Sequence, residues 1–144
     1  MLSIAKAVGK TYYRAVGYYR TTIGGLSFKC DPYHIGFWRL AAKGVWEPHT
    51  FRILAKFLHP DSVYLDLGAW IGPTVIYAAR KCAQVICFEP DMIAYQYLIW
   101  NIELNELRNV KPYNVALADQ NAIMRMASFG GSLGDTMTSL LNAD

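Results

Sequence analysis

The chain has 144 residues, a net charge of +3, 53% hydrophobic residues and three cysteines, Cys30, Cys82 and Cys87. That length suits one domain and that apolar content builds a core, which excludes a disordered chain. The cysteines form no CxxC pair or dense framework and read as reduced thiols of a cytoplasmic compartment; no apolar run reaches the roughly 18–20 residues of a membrane span, and Lys6, Lys10 and Arg14 interrupt what a signal peptide needs.

Charge divides the chain near Pro60. Residues 1–60 carry nine Lys or Arg against Asp31 and Glu47, a balance of +7, whereas residues 61–144 carry five against nine, a balance of −4. The first part reads as a basic, aromatic-rich helical lead-in and the second as a ligand-binding domain. In chain order, Lys6, Lys10 and Arg14 recur at helical spacing and predict a basic amphipathic helix, with packing on the domain as its first role and contact with an anionic membrane surface or a nucleic acid as its second. LSFKC (26–30) alternates like a short strand, HIGFWRLAAKG (34–44) reads as a helix closed by Gly44, and HTFRILAKFLH (49–59) as a helix stopped by Pro60. Aromatic residues crowd this part, but no RNA-binding signature organises them, so they read as packing.

The second part changes character. SVYLDLG (62–68) has the weak alternation of a buried parallel strand, PTVIYAARK (73–81) opens with Pro at a favoured first helical turn, and QVICFEP (84–90) is again a buried strand. DMIAYQYLIWNIELNEL (91–107) predicts a long helix capped by Asp91, NVKPYNVALA (109–118) a third strand, and NAIMRMASF (121–129) further strand material. Strand, helix, strand, helix, strand predicts a parallel α/β sheet.

In such a sheet the ligand lies outside the carboxyl ends of the strands, and the backbone approaches it most closely at the first strand-to-helix turn. Gly68 and Gly72 occupy that turn, where the missing Cβ permits close approach or positive φ, and the amides at the helix start are expected to offer donors. One glycine or both could instead serve only to pack the helix on the sheet. Asp66 ends the first strand and Glu89 ends the second, where a carboxylate can accept both hydroxyls of a ribose. A P-loop would need Gly-Lys-Ser/Thr where this turn reads GAWIGPT. A dinucleotide site would want G-x-G-x-x-G, and here Asp66 would repel a pyrophosphate. A cationic, phosphate-free nucleoside fits better, and S-adenosyl-L-methionine has that chemistry.

LDLGAWIGPT, CFEPD, the NxxLN spacing of Asn101 to Asn105, NVALAD (114–119) and GGSLGDTMTSLL (130–141), taken in order, resemble the FkbM family of class I S-adenosylmethionine-dependent methyltransferases, and GVWEPHT (44–50) is similar to that family's approach to the domain. The resemblance covers roughly residues 24–144. It implies a Rossmann-like doubly wound parallel sheet, with Asp66, Gly68, Ala69 and Gly72 cradling the methionine portion, Glu89 holding the ribose, and Pro90, Asp91, Asn114, Ala116 and Leu117 beside the adenine. Many members carry asparagine where Trp70 stands, and the role of Trp70 is open between shielding the cofactor and packing on the N-terminal helices. The family also implies a small-molecule acceptor, a hydroxyl of a sugar-containing or other metabolite, and with no RNA-binding signature in the sequence no nucleic acid is expected as a partner.

In the family, further strands follow the last of these motifs, whereas this chain stops at Asp144. The sheet is therefore expected to be truncated after its third strand region, to lack an acceptor wall, and to leave strand 62–68 as a bare apolar edge open to pairing with a second copy. No residue presents itself as the catalytic base; Asp135 is nearest by its loop context, beside a glycine that favours a turn. No Cys or His cluster has metal-ligand spacing. Two other readings stand beside methyl transfer: a non-catalytic nucleoside-binding or partner-pairing fragment, and an NAD or nucleotide-sugar enzyme of the Rossmann type.

Overall fold

The computed structural model describes residues 2–119, 125–128 and 138–141. Helix α1 (Leu2–Val16) leads into strands β1 (Tyr19–Ile23) and β2 (Leu26–Cys30), followed by helices α2 (Ile35–Ala42) and α3 (Pro48–Phe57). Then come β3 (Val63–Leu67), α4 (Pro73–Ala79), β4 (Gln84–Phe88), α5 (Met92–Leu104) and β5 (Val110–Tyr113), with β6 (Arg125–Ser128) and β7 (Thr138–Leu141) after them. The α/β alternation expected of the second part is present: β3, β4 and β5 form a parallel sheet in that order, with Asp66 beside Cys87 and Phe88 beside Tyr113 in register.

Strand β1 escaped the sequence reading because YRTTI carries little apolar weight. It pairs antiparallel with β2 through Gly24-Gly25, both at positive φ (55° and 82°). That is the backbone twist a two-residue hairpin turn requires, and a Gly-Gly pair between two short strand-like runs is its signal. The third strand is shorter than expected and stops at Tyr113. Beyond it the Asn114 side chain donates to Glu89 O (2.7 Å) and Pro90 O (3.2 Å), an asparagine side chain taking the place of the backbone ladder. The strand expected within 121–129 is present as β6, which pairs antiparallel with β7. Asp135 and the rest of GGSLGDTMTSLL before Thr138 lie outside the described residues.

Two apolar clusters share the core. One joins the lead-in to the sheet helices: Ile23, Phe28, Cys30, Trp38, Phe51 and Leu54 pack with Ile71, Ile76 and Tyr77. The other lies between sheet and helices, with Val75 and Ala78 of α4, Val85 and Cys87 of β4, and Leu98 and Ile102 of α5. Alternation along β3 is plain. Asp66 turns inward, while Val63, Leu65 and Leu67 are more than half exposed on the opposite face, so β3, an edge strand among the described residues, is not the buried strand of weak alternation expected of its apolar run. No helix among the described residues is long and apolar enough to cross a membrane.

Candidate functional site

The carboxyl ends of β3, β4 and β5 bring the predicted residues together through one set of hydrogen bonds. Gly68 N and Ala69 N both donate to Phe88 O (2.9 and 3.0 Å), and Glu89 N donates to Tyr113 O (3.0 Å). The Glu89 carboxylate accepts from Trp70 N (2.7 Å) through one oxygen and from Asp91 N (2.8 Å) through the other. Glu89 thus clasps the first turn to the second. Asp91 caps α5 as expected, its Oδ1 accepting from Ile93 N (2.8 Å) and Ala94 N (3.1 Å). Asn114 closes the far side on Glu89 O and Pro90 O. Past it, Ala116 is half-buried and Leu117 is exposed.

The two glycines divide the roles left open by their sequence. Both have positive φ, 82° at Gly68 and 86° at Gly72. A Cβ on Gly72 would sit 2.5 Å from Leu98 Cδ1, so this glycine lets α5 press against the start of α4. A Cβ on Gly68 would meet nothing within 4 Å, and the residue is exposed: here the backbone borders open space at the strand end. Trp70, also at positive φ (50°), lays its ring edge-on to Phe37 (4.6 Å between centroids) and His34 (5.8 Å). Of its two candidate roles, packing on the lead-in is the one its ring contacts describe.

The amides that precede the helix start are already engaged. Those of Gly68, Ala69 and Trp70 are taken by Phe88 O and Glu89, so these three offer no cradle for a phosphate. The acids are different. Asp66 accepts from Thr74 Oγ1 (2.5 Å), and both Asp66 and Glu89 are buried. Burial pushes both carboxyls above their ordinary range, against the hydrogen bonds that favour their charged forms: Thr74 and Tyr64 at Asp66, the Asp91 and Trp70 amides at Glu89. The Asp91 charge, and after it the Asp66 charge, raises Glu89 further. Among the described residues neither acid has a Lys, Arg or His within ion-pair distance, for the one ion pair joins His34 and Asp31. Two buried carboxylates at adjacent strand ends without a cationic side chain form a site suited to a cationic, hydroxyl-bearing ligand.

Sequence reasoning missed what supports this turn from behind. Asn101 Nδ2 donates to Ile71 O (2.8 Å), and Asn101 Oδ1 accepts from Asp31 N (2.7 Å). Asp31, fully buried, accepts from Tyr33 N, His34 N, His34 Nδ1 and Trp38 Nε1 at 2.8–3.0 Å. Burial alone would raise its carboxyl; the His34 contact, the Trp38 indole and the backbone amides outweigh it and hold the group below the usual carboxylate range. An aspartate followed at short spacing by histidine and tryptophan was the available signal.

A parallel α/β sheet whose first two strands end in acids around a glycine turn is the arrangement in which ligands bind outside the carboxyl ends of the strands. No family model matches the chain. A curated relative, the tRNA (guanine(37)-N(1))-methyltransferase of Saccharomyces cerevisiae, is 32% identical over 69 residues, which are 47% of this chain and 14% of that enzyme. Among solved structures, M. jannaschii TYW2 in complex with AdoMet is 30% identical over 72% of this chain and 44% of its own, with a TM-score of 0.49. Trm5b from Pyrococcus abyssi is 25% identical over 67% and 27% respectively, with a TM-score of 0.47. The matched part of the chain therefore spans less than half the length of each of these proteins. The expectation of a small-molecule hydroxyl acceptor and no nucleic acid is corrected by these relatives, since the curated one acts, by its name, on tRNA. The physical reason for the error is that phosphate contacts need only placed cations and leave no aromatic signature in the sequence.

Proposed function

We propose that the chain is the cofactor-binding part of a class I S-adenosylmethionine-dependent methyltransferase whose acceptor is an RNA base. The observation that carries the cofactor reading is the pair of buried acids, Asp66 and Glu89, left without a cation at the open Gly68 turn. In this reading Asp66 faces the ammonium side of the methionine portion, Gly68 and Ala69 let that portion lie against the backbone, and Glu89 accepts the ribose hydroxyls through its remaining lone pairs. Pro90, Asp91, Asn114, Ala116 and Leu117 border the adenine. Gly72 acts one step back, seating α5 behind the turn. The cofactor, when bound, supplies a sulfonium methyl group to a nucleophilic nitrogen, and the chain's own residues bind and orient it. Residues 1–60 form the lead-in and 61–144 the cofactor-binding part. The acceptor reading is supported by the identity to a tRNA methyltransferase and by the +7 balance of the lead-in.

Calorimetric titration with S-adenosylhomocysteine and with NAD tests the cofactor. Binding of S-adenosylhomocysteine that weakens in Asp66→Asn, with no heat from NAD, is the expected result; preferential binding of NAD would sink the reading. Incubating the full chain with labelled cofactor and unmodified tRNA transcripts tests the acceptor, through label in the RNA.

A further inference from the structure

We infer that the outer face of the β1–β2 hairpin, with Arg80 beside it, is a docking groove for the phosphodiester backbone of RNA. This deepens the acceptor reading above and rests on it. A cavity of about 660 Å³ lies between the hairpin and the carboxyl ends of α4 and α5, with Arg20, Lys29 and Arg80 in its walls. Hairpin register makes the arrangement specific. Arg20 stands directly opposite Lys29, and on the same face the next rung pairs Thr22 with Ser27. Two cations directly opposite on an antiparallel pair destabilise it. Both sit over the same Tyr18 ring, each 5.3 Å from its centroid. Among the described residues no carboxylate lies within ion-pair distance of either, although Glu106 shares the groove wall. Arg80 gives one N–H to Asn105 O (3.2 Å) at the end of α5, and a guanidinium carries five donors. The Tyr18 ring offsets part of that cost through cation–π contact, but a like-charge rung kept without a neutralising acid remains the kind of exception that marks binding surfaces. Cations flanked by two hydroxyls and by the Tyr18 ring suit phosphate oxygens, ribose and a base face together.

The groove's place selects a polymer. Gly72 starts α4 and Asp91 starts α5 at the cofactor turn, whereas Arg80 ends α4 and Leu104 ends α5 at the groove. The 13 residues of α5 separate the two sites by about 20 Å at a rise of 1.5 Å per residue. A free nucleotide seated here could not reach the methyl group; a polynucleotide can hold the groove and present a base at the far end.

Fluorescence anisotropy of a labelled tRNA transcript and a labelled single-stranded RNA across a salt series tests this, with S-adenosylhomocysteine titrated in parallel. The Arg20→Gln/Lys29→Gln variant should lose affinity for both RNAs and flatten the log–log salt slope for the single strand by about 1.4, from about 0.7 per phosphate contact. Its S-adenosylhomocysteine affinity should stay at the parent value. The charge-preserving exchange Arg20→Lys/Lys29→Arg should bind RNA like the parent. RNA affinity and slope unchanged in the glutamine variant would overturn the groove. So would competition by mononucleotide or inorganic phosphate as effective as that by unlabelled RNA, or retention on anionic vesicles in preference to RNA. Loss of S-adenosylhomocysteine binding in the parent, with RNA binding intact, would remove the cofactor reading and leave the groove standing.

Discussion

The division of labour between the two turn glycines yields a double dissociation. Gly68 and Gly72 have nearly the same φ, 82° and 86°, so alanine at either position carries a similar left-handed cost of about 1–2 kcal/mol. The surroundings differ. At Gly68 the new methyl would enter open space, and nothing more is added. At Gly72 it would lie 2.5 Å from Leu98 Cδ1, and Leu98 is fully buried between α4 and the sheet, so it cannot swing away without disturbing its neighbours. Overpacking of that kind costs about 1–3 kcal/mol beyond the backbone term, and Gly72→Ala should lose about 2–5 kcal/mol in all. Ligand binding should rank the other way. The Gly68 methyl would occupy the space assigned above to the proposed cofactor, and Gly68→Ala should weaken S-adenosylhomocysteine well beyond what its small stability loss implies. Urea unfolding and calorimetric titration of both variants give the two rankings. Equal losses of stability would refute the packing role of Gly72, and parent-like binding by Gly68→Ala would refute the contact assigned to Gly68.

Asn105→Ala should lower unfolding free energy by about 1–3 kcal/mol, because its side chain accepts from Lys29 N (3.0 Å) and donates to Lys29 O (2.6 Å) and Asn101 O (2.7 Å); an unmoved urea midpoint would contradict this. Acid dependence has two opposed parts. Asp31 titrates below its unfolded value, so its contribution is present above that value and is lost as pH falls through the lowered one; Asp66 and Glu89 titrate above theirs, so the stability they contribute is present below the unfolded values and is lost as pH rises through the raised ones. Asp31→Asn should therefore flatten the acid side of the stability curve, and an unchanged curve in urea melts across pH would count against it. On acidification, S-adenosylhomocysteine affinity should begin to fall at a higher pH than an ordinary carboxylate would give, since protonation removes the charge that faces its ammonium group; affinity flat through that range would count against these acids as ligands. The Cys87 thiol is pushed up to about 12 by burial and by the Asp66 charge, and Cys30 is raised as well. Both should resist a thiol reagent at neutral pH until urea unfolds the chain, and rapid labelling of folded protein would refute their burial.

The parallel strands were legible because VYLDL and QVICF are apolar runs bounded by turn residues, and α5 because Asp91 stands where a cap belongs. Strand β1 was not, since its inward residues Tyr19, Thr21 and Ile23 alternate with Arg20 and Thr22 and the run resembles a polar loop until its Gly-Gly turn is read with LSFKC. The placement of the candidate site residues was legible and their wiring was not. Asp66, Gly68 and Glu89 stand at the strand ends that their order in the chain dictates. The destinations of the turn amides depended on Phe88 O and the Glu89 side chain, and the meaning of Gly72 on Leu98, 26 positions away. Contacts across such separations leave no local pattern. The basic groove was hidden for the same reason: Arg20 and Lys29 become neighbours only through hairpin register.

Helix α5 explains how an acid-lined turn and a basic hairpin coexist in one small chain. Asp91 caps its first turn while its amide binds Glu89, so the helix start is fixed by the site itself. Asn101 and Asn105 are four residues apart and share a face. The first holds Ile71 O in the turn and Asp31 N in the lead-in, and the second holds both backbone groups of Lys29 in the hairpin. These are the asparagines of the NxxLN spacing, and their geometry gives that spacing a physical meaning: one helix face positions the turn and the hairpin together. Opposite charges on a flexible chain would collapse onto one another. Here the rigid length of α5 keeps Arg20 and Lys29 away from Asp66 and Glu89, so neither pair neutralises the other.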